Sequence, residues 1–579
     1  MTGSQIVLES LKKEKVDTVF AYPGGAVIPL FDALYEEESI RLVLTRHEQA
    51  AVHAADGYAR STGRTGVCIV TSGPGATNTV TGLATANFDS VPLVCISGQV
   101  PKGMIGNDAF QEADTVGITR PVTKHNYLVT DTNKLGRILK ESFFIASSGK
   151  PGPVVIDIPK DVMTGGTEEE LPVEVAIRGY QPDENLDATA VDQAAEALRR
   201  AERPLIFVGG GVIIAEAEAE LADLMQVSGT PVVTSLMGIG AVPADHERNF
   251  GMIGMHGSYA ANMAVQECDL LIGVGVRFDD RATGDLSRFA PQAEIVHIDI
   301  DPAAIARNVP VSIAVVCDAK AALTRLAAAG KREEPTTWIA RLAALRERYR
   351  ETKARESAPP EEPTAERIIT ALGEAFPEAI IATEVGQNQM WAAQFYPFKL
   401  PRRWLSSGGL GTMGYGFPAA IGAQAGNPDR RVIDIAGDGS IQMNIQELAT
   451  AVLEGFPVIV AVLNNGYLGM VRQWQELFFK RRYAKTCLAS KHSCPPNCDS
   501  PGEHCPAYVP DFVTLASAYG ALGLRARTMS EVHEAIARAK ECRDRPVLID
   551  FIIPREENVW PMVAPGAALH EMVGPGGSL

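Results

Sequence analysis

Hydrophobic positions along the chain fall into two alternating patterns: short runs rich in Val and Ile, and longer stretches in which apolar residues recur every three or four positions. Near the amino end, Ile6, Leu8, Leu11 and Val16 mark the buried face of a helix predicted over Gln5–Val16. Runs at Thr18–Ala21, Gly66–Thr71, Val91–Ser97 and Val154–Ile158 then read as strands of a first unit. Pro204–Val208, Leu270–Val274 and Glu294–Ile300 belong to a second, and Val432–Ala436 and Val458–Leu463 to a third. Strands separated by helical patterns are the sequence form of a parallel sheet wound by crossover helices, so the predicted class is α/β, repeated in three domains. A chain of 579 residues supports that number at roughly 100–200 residues per domain.

Polar stretches set the expected boundaries. The first domain spans 1–175 and closes on the charged segment Gly165–Glu174; a polar linker around Tyr180–Leu186 leads to a central domain over 187–330. Residues 331–363 read as a connector made of charges, a surface helix and a Pro/Glu-rich piece, followed by a third domain over 364–560 and a tail over 561–579. No fixed-period repeat is visible.

Composition narrows the function classes. With 46% apolar and 21% charged residues the chain is an ordinary soluble type, and a net charge of -17 without a basic cluster argues against nucleic acid. No apolar run approaches the roughly 20 residues needed to cross a bilayer. The first helix leaves no room for a targeting peptide, so a cytoplasmic location is expected. Nine cysteines are too few for a disulfide scaffold. Cys68, Cys95, Cys268 and Cys317 sit in apolar contexts as core thiols.

The most specific chemistry lies in Arg431–Asn465. A strand leads into Gly437-Asp438-Gly439-Ser440, a helix is predicted through Glu447, and a second strand ends on Asn464-Asn465. In an open parallel sheet the carboxyl ends of neighbouring strands meet at a ligand crevice, which brings Asp438 and Asn465 together. One carboxylate, one amide oxygen and the backbone carbonyl of Tyr467 suit a hard cation such as Mg²⁺ holding a diphosphate. Gly437 and Gly439 let the backbone approach the phosphates, and the following helix should aim its N–H groups at them.

This unit resembles the signature of thiamine diphosphate enzymes, and the resemblance to the acetolactate synthase (acetohydroxyacid synthase) catalytic subunits extends over nearly the whole chain. It implies a thiamine diphosphate-binding fold in the outer domains and a Rossmann-like middle domain. Its thiamine diphosphate contacts would include Gln387, Gly411, Met413, Ser440, Leu468, Gly469 and Met470, with Met413 bending the cofactor. Asn388 departs from the family, which has His there. In Arg46-His47-Glu48-Gln49-Ala50-Ala51, Glu48 matches the carboxyl group that hydrogen-bonds the aminopyrimidine ring, a role that needs burial. Because Glu48 and Asp438 lie on different domains, the resemblance implies a homodimer or tetramer whose sites sit between subunits.

The stretch Gly98–Pro101, Ala109–Glu112 and Thr123–His125 matches a catalytic segment, with Gly25, Phe110, Gln111 and Lys124 among the implied catalytic residues. Met255, Asp280, Arg281 and Trp474 match the substrate tunnel, where Arg281 would hold a carboxylate and Trp474 a methyl or ethyl group. The implied reaction decarboxylates pyruvate and joins the two-carbon unit to pyruvate or 2-oxobutyrate, opening branched-chain amino-acid synthesis. Flavin-dependent pyruvate oxidase and other thiamine diphosphate carboligases are the alternatives. A separate regulatory small subunit is a further implied partner.

A non-redox FAD is implied as well. Gly209-Gly210-Gly211, Met255-His256, Gly275, Arg277, Asp279, Arg281 and Asp299-Ile300 resemble a flavin-binding middle domain, together with Arg120, Leu236, Met237 and Asp318. The glycine cluster is not a dinucleotide fingerprint, since its acidic strand end lies far past the ~20-residue offset of that motif. Finally, Cys487–Cys505 is rich in Cys, His and Pro. Cys494, Cys498 and Cys505 with His492 or His504 offer zinc donors, but without paired CxxC spacing an exposed thiol-rich loop is expected.

Overall fold

The computed structural model describes residues 1–182, 186–354, 359–492, 494–495, 498, 505–506 and 508–579. Three six-stranded sheets carry the chain, all of their strand pairs parallel. The first holds β1 (Thr18–Tyr22), β2 (Arg41–Leu44), β3 (Gly66–Val70), β4 (Leu93–Gln99), β5 (His125–Leu128) and β6 (Pro153–Pro159). The second holds β7 (Pro204–Val208), β8 (Val232–Thr234), β9 (Asn249–Met252), β10 (Leu270–Val274), β11 (Glu294–Asp299) and β12 (Ile313–Val316). The third holds β13 (Ile380–Thr383), β14 (Trp404–Leu405), β15 (Val432–Gly437), β16 (Ile459–Asn464), β17 (Leu522–Ala526) and β18 (Val547–Ile552). Central strands such as β4 and β6 are buried along their whole length, which is why they read as continuous apolar runs rather than alternating ones.

The strand orders show a relationship that no residue repeat reveals. The first sheet runs β2-β1-β3-β4-β6-β5 and the third β14-β13-β15-β16-β18-β17, which is the same order. The middle sheet runs β12-β11-β10-β7-β8-β9, the order of a Rossmann fold. In both outer sheets the chain reverses direction across the sheet between the first and third strands, so loops after β1, β3, β13 and β15 border a crevice.

The outer domains share one core. Helix Glu48–Thr62 and helix Gly416–Gly426 are built from small residues, and Ala51, Ala54, Ala55, Ala420 and Ala423 are buried between the two sheets. A side chain at Gly57 would overlap the Ala419 carbonyl, and one at Gly422 would overlap the Ala54 carbonyl. The backbones therefore touch, and only glycine fits at either crossing.

Three expectations need correction. After Ser440 the chain forms two short 3-10 turns, Ile441–Met443 and Ile445–Glu447, because Asn444 takes φ -133° and its amide donates to the Gly414 carbonyl; an α-helix begins only at Leu448. The connector helix, Thr336–Ala354, buries Trp338, Leu342 and Leu345 against the central domain, with the Trp338 indole donating to the Pro204 carbonyl at 3.0 Å. The segment expected as a tail folds into three short antiparallel strands, and its Val563, Leu569 and Met572 complete the same cluster, Leu569 from the turn between the first two strands. Among the described residues no helix is long and apolar enough to cross a membrane.

Gly422→Ala should force the helix pair apart and cost about 1–3 kcal/mol of stability. Thermal unfolding of the variant should show a lowered apparent Tm; an unchanged Tm would refute the close-contact account.

Candidate active site

Three strand ends in the third domain build a small pocket lined by Gly386, Gln387, Asn388, Met413, Gly437, Asp438, Gly439, Ser440, Asn465, Tyr467, Leu468 and Gly469. Asp438 is 1% exposed, and its Oδ2 accepts the Gly466 N–H at 3.0 Å. Burial, with the nearby Asp550 carboxylate adding to it, pushes this carboxyl up to about 7. Asn465 donates to Gln387 Oε1 at 3.1 Å and accepts the Tyr467 N–H at 3.0 Å through Oδ1, which keeps a second lone pair. A divalent cation between these oxygens would supply the missing positive charge.

The expected helix amino terminus is present but belongs to other helices. Helix Gln387–Phe395 and helix Gly469–Phe478 both start at this pocket, giving two sets of free N–H groups for an anion. Gly386, with φ +151° and ψ -155°, takes a conformation open only to glycine, and Asn388 sits behind it with Nδ2 bonded to the Glu384 and Ile435 carbonyls at 3.0 and 2.8 Å. Both amide hydrogens of Asn388 are thus taken. The pocket suits a metal-bound diphosphate.

Two carboxyl groups absent from the sequence reading support this wall. Glu384 is fully buried and accepts the Gly414 and Phe417 N–H groups at 2.6 and 3.2 Å, capping the helix that follows Met413. Burial drives it up to about 7, and buried Asp434 facing it is driven up as well, so protons are favoured on this pair. Glu384 follows β13 as Asp438 follows β15, a strand-end position that could have flagged it.

In the first domain, loops after β1, β2 and β3 gather at the same edge. His47 caps helix Glu48–Thr62 by accepting the Gln49 N–H, and Glu48 lies in the first turn at 9% exposure. Asn78 donates to Glu48 Oε2 at 2.9 Å, and Gly75 lies against the other oxygen. Gln111, with φ +60°, packs on Gly73 in the same turn, while Gly25 faces open space. Phe110 beside it is 87% exposed. Glu48 does not line the Asp438 pocket of its own chain.

Lys124 must be reassigned. Its ammonium donates to the Ile145 and Ser148 carbonyls, each at 2.6 Å, and to the Tyr180 hydroxyl at 2.8 Å, and it does not line the central cavity. Burial lowers it to about 8. With its three donors used, Lys124 braces the loop Ser147–Pro151 within the chain instead of pointing a free ammonium at the site.

The central domain meets the third at a cavity of about 1020 Å³. Gly210, Gly211, Leu236, Met237, Met255, His256, Gly275, Arg277, Asp279, Arg281, Asp299, Ile300 and Asp318 all line it. Arg120 does not; it is solvent-exposed beyond a short helix of the first domain. Gly209 is also off the surface, and a side chain there would overlap the Gly275 carbonyl, so it allows β7 and β10 to approach. The walls fit a dinucleotide: His256 Nε2 is a buried ring nitrogen with no partner, and Asp299 is pushed up to about 6 by burial. Lys150 was missed. It lines the cavity and pairs with Asp301 at 2.9 Å, but a lysine in a Ser/Gly/Pro turn carries no signal by itself.

Asp280, Arg281, Met255 and Trp474 line one end of this cavity, where Gly411 and Met470 also appear and Val385 and Gly386 are shared with the diphosphate pocket. The Arg281 guanidinium lies 5.8 Å from the centre of the Trp474 ring, and the Met255 N–H donates to the Arg281 carbonyl at 2.9 Å.

Family models agree with this three-part arrangement. The thiamine pyrophosphate enzyme N-terminal TPP-binding domain matches residues 1–118, the central domain 191–326 and the C-terminal TPP-binding domain 384–551. The chain is 48% identical over 574 residues to the acetolactate synthase large subunit of Corynebacterium glutamicum, covering 98% of this chain and 89% of that protein. It is 43% identical to the large subunit of Haemophilus influenzae and 42% identical to the isozyme 3 large subunit of Escherichia coli, covering 99% of this chain and 98% of each. The chain belongs to the acetolactate synthase large-subunit family of thiamine pyrophosphate enzymes.

The Cys- and His-rich segment Cys487–Cys505 follows the Asp438 pocket in the chain. His504 lies outside the described residues, and among the described residues no three His, Cys, Asp or Glu side chains converge as metal ligands. Its first residues are tied to the loop that follows Asn465: the Leu468 N–H donates to the Thr486 carbonyl and the Leu488 N–H to the Gly466 carbonyl, both at 2.9 Å.

Asp438→Ala should abolish Mg²⁺-dependent binding of thiamine diphosphate while leaving FAD binding intact. Titration calorimetry checks this; an affinity within about 2-fold of the parent, under 0.5 kcal/mol, would remove Asp438 from the cation site.

Proposed function

We propose that this chain is the catalytic subunit of an acetolactate synthase that binds thiamine diphosphate, Mg²⁺ and FAD. It decarboxylates pyruvate and joins the two-carbon unit to a second pyruvate or to 2-oxobutyrate. The observation that carries this reading is the junction at which Arg281, Trp474 and Met255 stand beside the pocket of Asp438 and Met413.

Thiamine diphosphate, when bound, supplies the electron sink for breaking the carboxylate bond. Asp438, Asn465 and the Tyr467 carbonyl would hold Mg²⁺, and the two helix amino termini would hold the diphosphate. Met413 would press on the cofactor from the wall that Glu384 caps. The Arg281 guanidinium would bind the carboxylate of the second 2-oxo acid, and the Trp474 face would limit the size of its alkyl group. Glu48 would hold a proton at its carboxyl oxygen toward the aminopyrimidine ring. Met255, Trp474 and Met470 would keep water from protonating the two-carbon unit before ligation.

Glu48 lies outside the pocket of Asp438 in its own chain, beside exposed Phe110 and the open face at Gly25. A homodimer, alone or within a tetramer, would pair the Glu48 edge of one copy with the Asp438 pocket of the other. A smaller regulatory subunit belongs to the same proposal, since the relatives are named large subunits. So does a cytoplasmic location.

With pyruvate, thiamine diphosphate, Mg²⁺ and FAD, the protein should release acetolactate while the flavin stays oxidised. Flavin bleaching without acetolactate would indicate an oxidase instead. Glu48→Gln should lower turnover by about 10²–10⁴-fold with thiamine diphosphate still bound; turnover at the parental rate would eliminate the assigned role.

A further inference from the structure

Asp89 is a single aspartate at the end of helix Val80–Phe88, and its carboxylate is fully buried where all three domains meet. Its oxygens accept the Gly409 N–H at 2.8 Å and the Gly408 N–H at 3.0 Å, both on the third-domain loop that continues to Gly411 and Met413. Arg60 of the first domain donates Nη2 to it at 3.1 Å. Arg277 of the central domain brings Nη2 to 3.8 Å and donates Nη1 to the neighbouring Phe88 carbonyl at 2.6 Å.

Charge counting makes Arg277 essential to this group. Arg60 also grips Asp56, at 2.6 Å through Nε and 3.2 Å through Nη2, so one guanidinium faces two buried carboxylates. Arg277 supplies the second positive charge, and it is the partly exposed member, with 36% of its side chain open to the central cavity that Asp89 also lines. The loop it steadies has no slack. A side chain at Gly409 would stand 2.9 Å from the Asp89 oxygen and 3.0 Å from Arg277 Nη2, and one at Gly408 would overlap the Met237 sulfur. Thr412 is held as well, its hydroxyl 2.7 Å from that of Thr85.

We propose that Asp89 and Arg277 form a positioning relay in which a dinucleotide in the central cavity, by fixing the Arg277 guanidinium, holds the Gly408–Met413 wall in place against the thiamine site. The relay rests on the cofactor assignments made above. It gives a flavin without a redox step a physical effect: part of its binding free energy appears as tighter thiamine diphosphate binding.

The test is the affinity for thiamine diphosphate with Mg²⁺, measured by calorimetry on flavin-free and FAD-saturated protein. In the parent, FAD should tighten that affinity by about 5-fold or more. In Arg277→Gln at saturating FAD the gain should fall below about 2-fold, with faster amide hydrogen exchange over residues 406–413. Asp89→Asn should behave alike; because it changes a buried group, Arg277→Gln decides if that variant does not fold. A merely structural role would weaken both affinities and leave their ratio unchanged. A parent without coupling, or Arg277→Gln with full coupling, overturns the relay. A parent that shows no flavin binding in direct FAD titration overturns the flavin assignment instead, and the relay with it.

Discussion

Two helices whose backbones touch determine what the rest of this molecule can do. Helix Glu48–Thr62 belongs to the first domain and helix Gly416–Gly426 to the third, and glycines at both crossings leave no room for a side chain between them. That contact merges two sheets of identical strand order into one core. It also fixes directions. Glu48 stands at the start of one helix and Glu384 caps the start of the other. A chain so constrained places Glu48 at one edge and the Asp438 pocket at another.

Electrostatics then differentiates the pockets. The third-domain pocket gathers two helix amino termini around a buried carboxylate, an arrangement that suits an anion at the amino termini and a hard cation at the carboxylate. The central cavity is walled by glycine-permitted close approaches and a few polar groups without partners, which suits a large, flat, hydrogen-bonding ligand. Between them, the Arg281 guanidinium lies over Trp474, so that a cation and a flat apolar wall face the same space.

Much of this was legible in the residues. Asp438 and Asn465 follow apolar strands directly, so the rule that parallel strands converge at their carboxyl ends was enough to bring them together. The central cavity residues were found through resemblance and assembled as expected, apart from Arg120 and Gly209. What failed were inferences about single polar residues. Lys124 in a motif looked like a substrate group but is consumed by three local acceptors, and Asn444 broke a helix that periodicity had extended through it. Asp89 and Lys150 gave no signal, because their importance comes from groups brought to them by distant segments, whereas Glu384 carried only the strand-end position it shares with Asp438. The shared strand order of the outer domains was invisible for a similar reason: topology repeats there while the residues do not.

The central claim is that each active site draws Glu48 from one copy and Asp438 from another. The direct measurement is complementation: Glu48→Gln and Asp438→Ala proteins, each inactive alone, are mixed under conditions that allow subunit exchange. Roughly a quarter of parental activity should return, since half of the dimers formed are mixed and each mixed dimer holds one intact site of two. If mixed dimers form and no activity returns, Glu48 and Asp438 serve the same chain and the account is wrong.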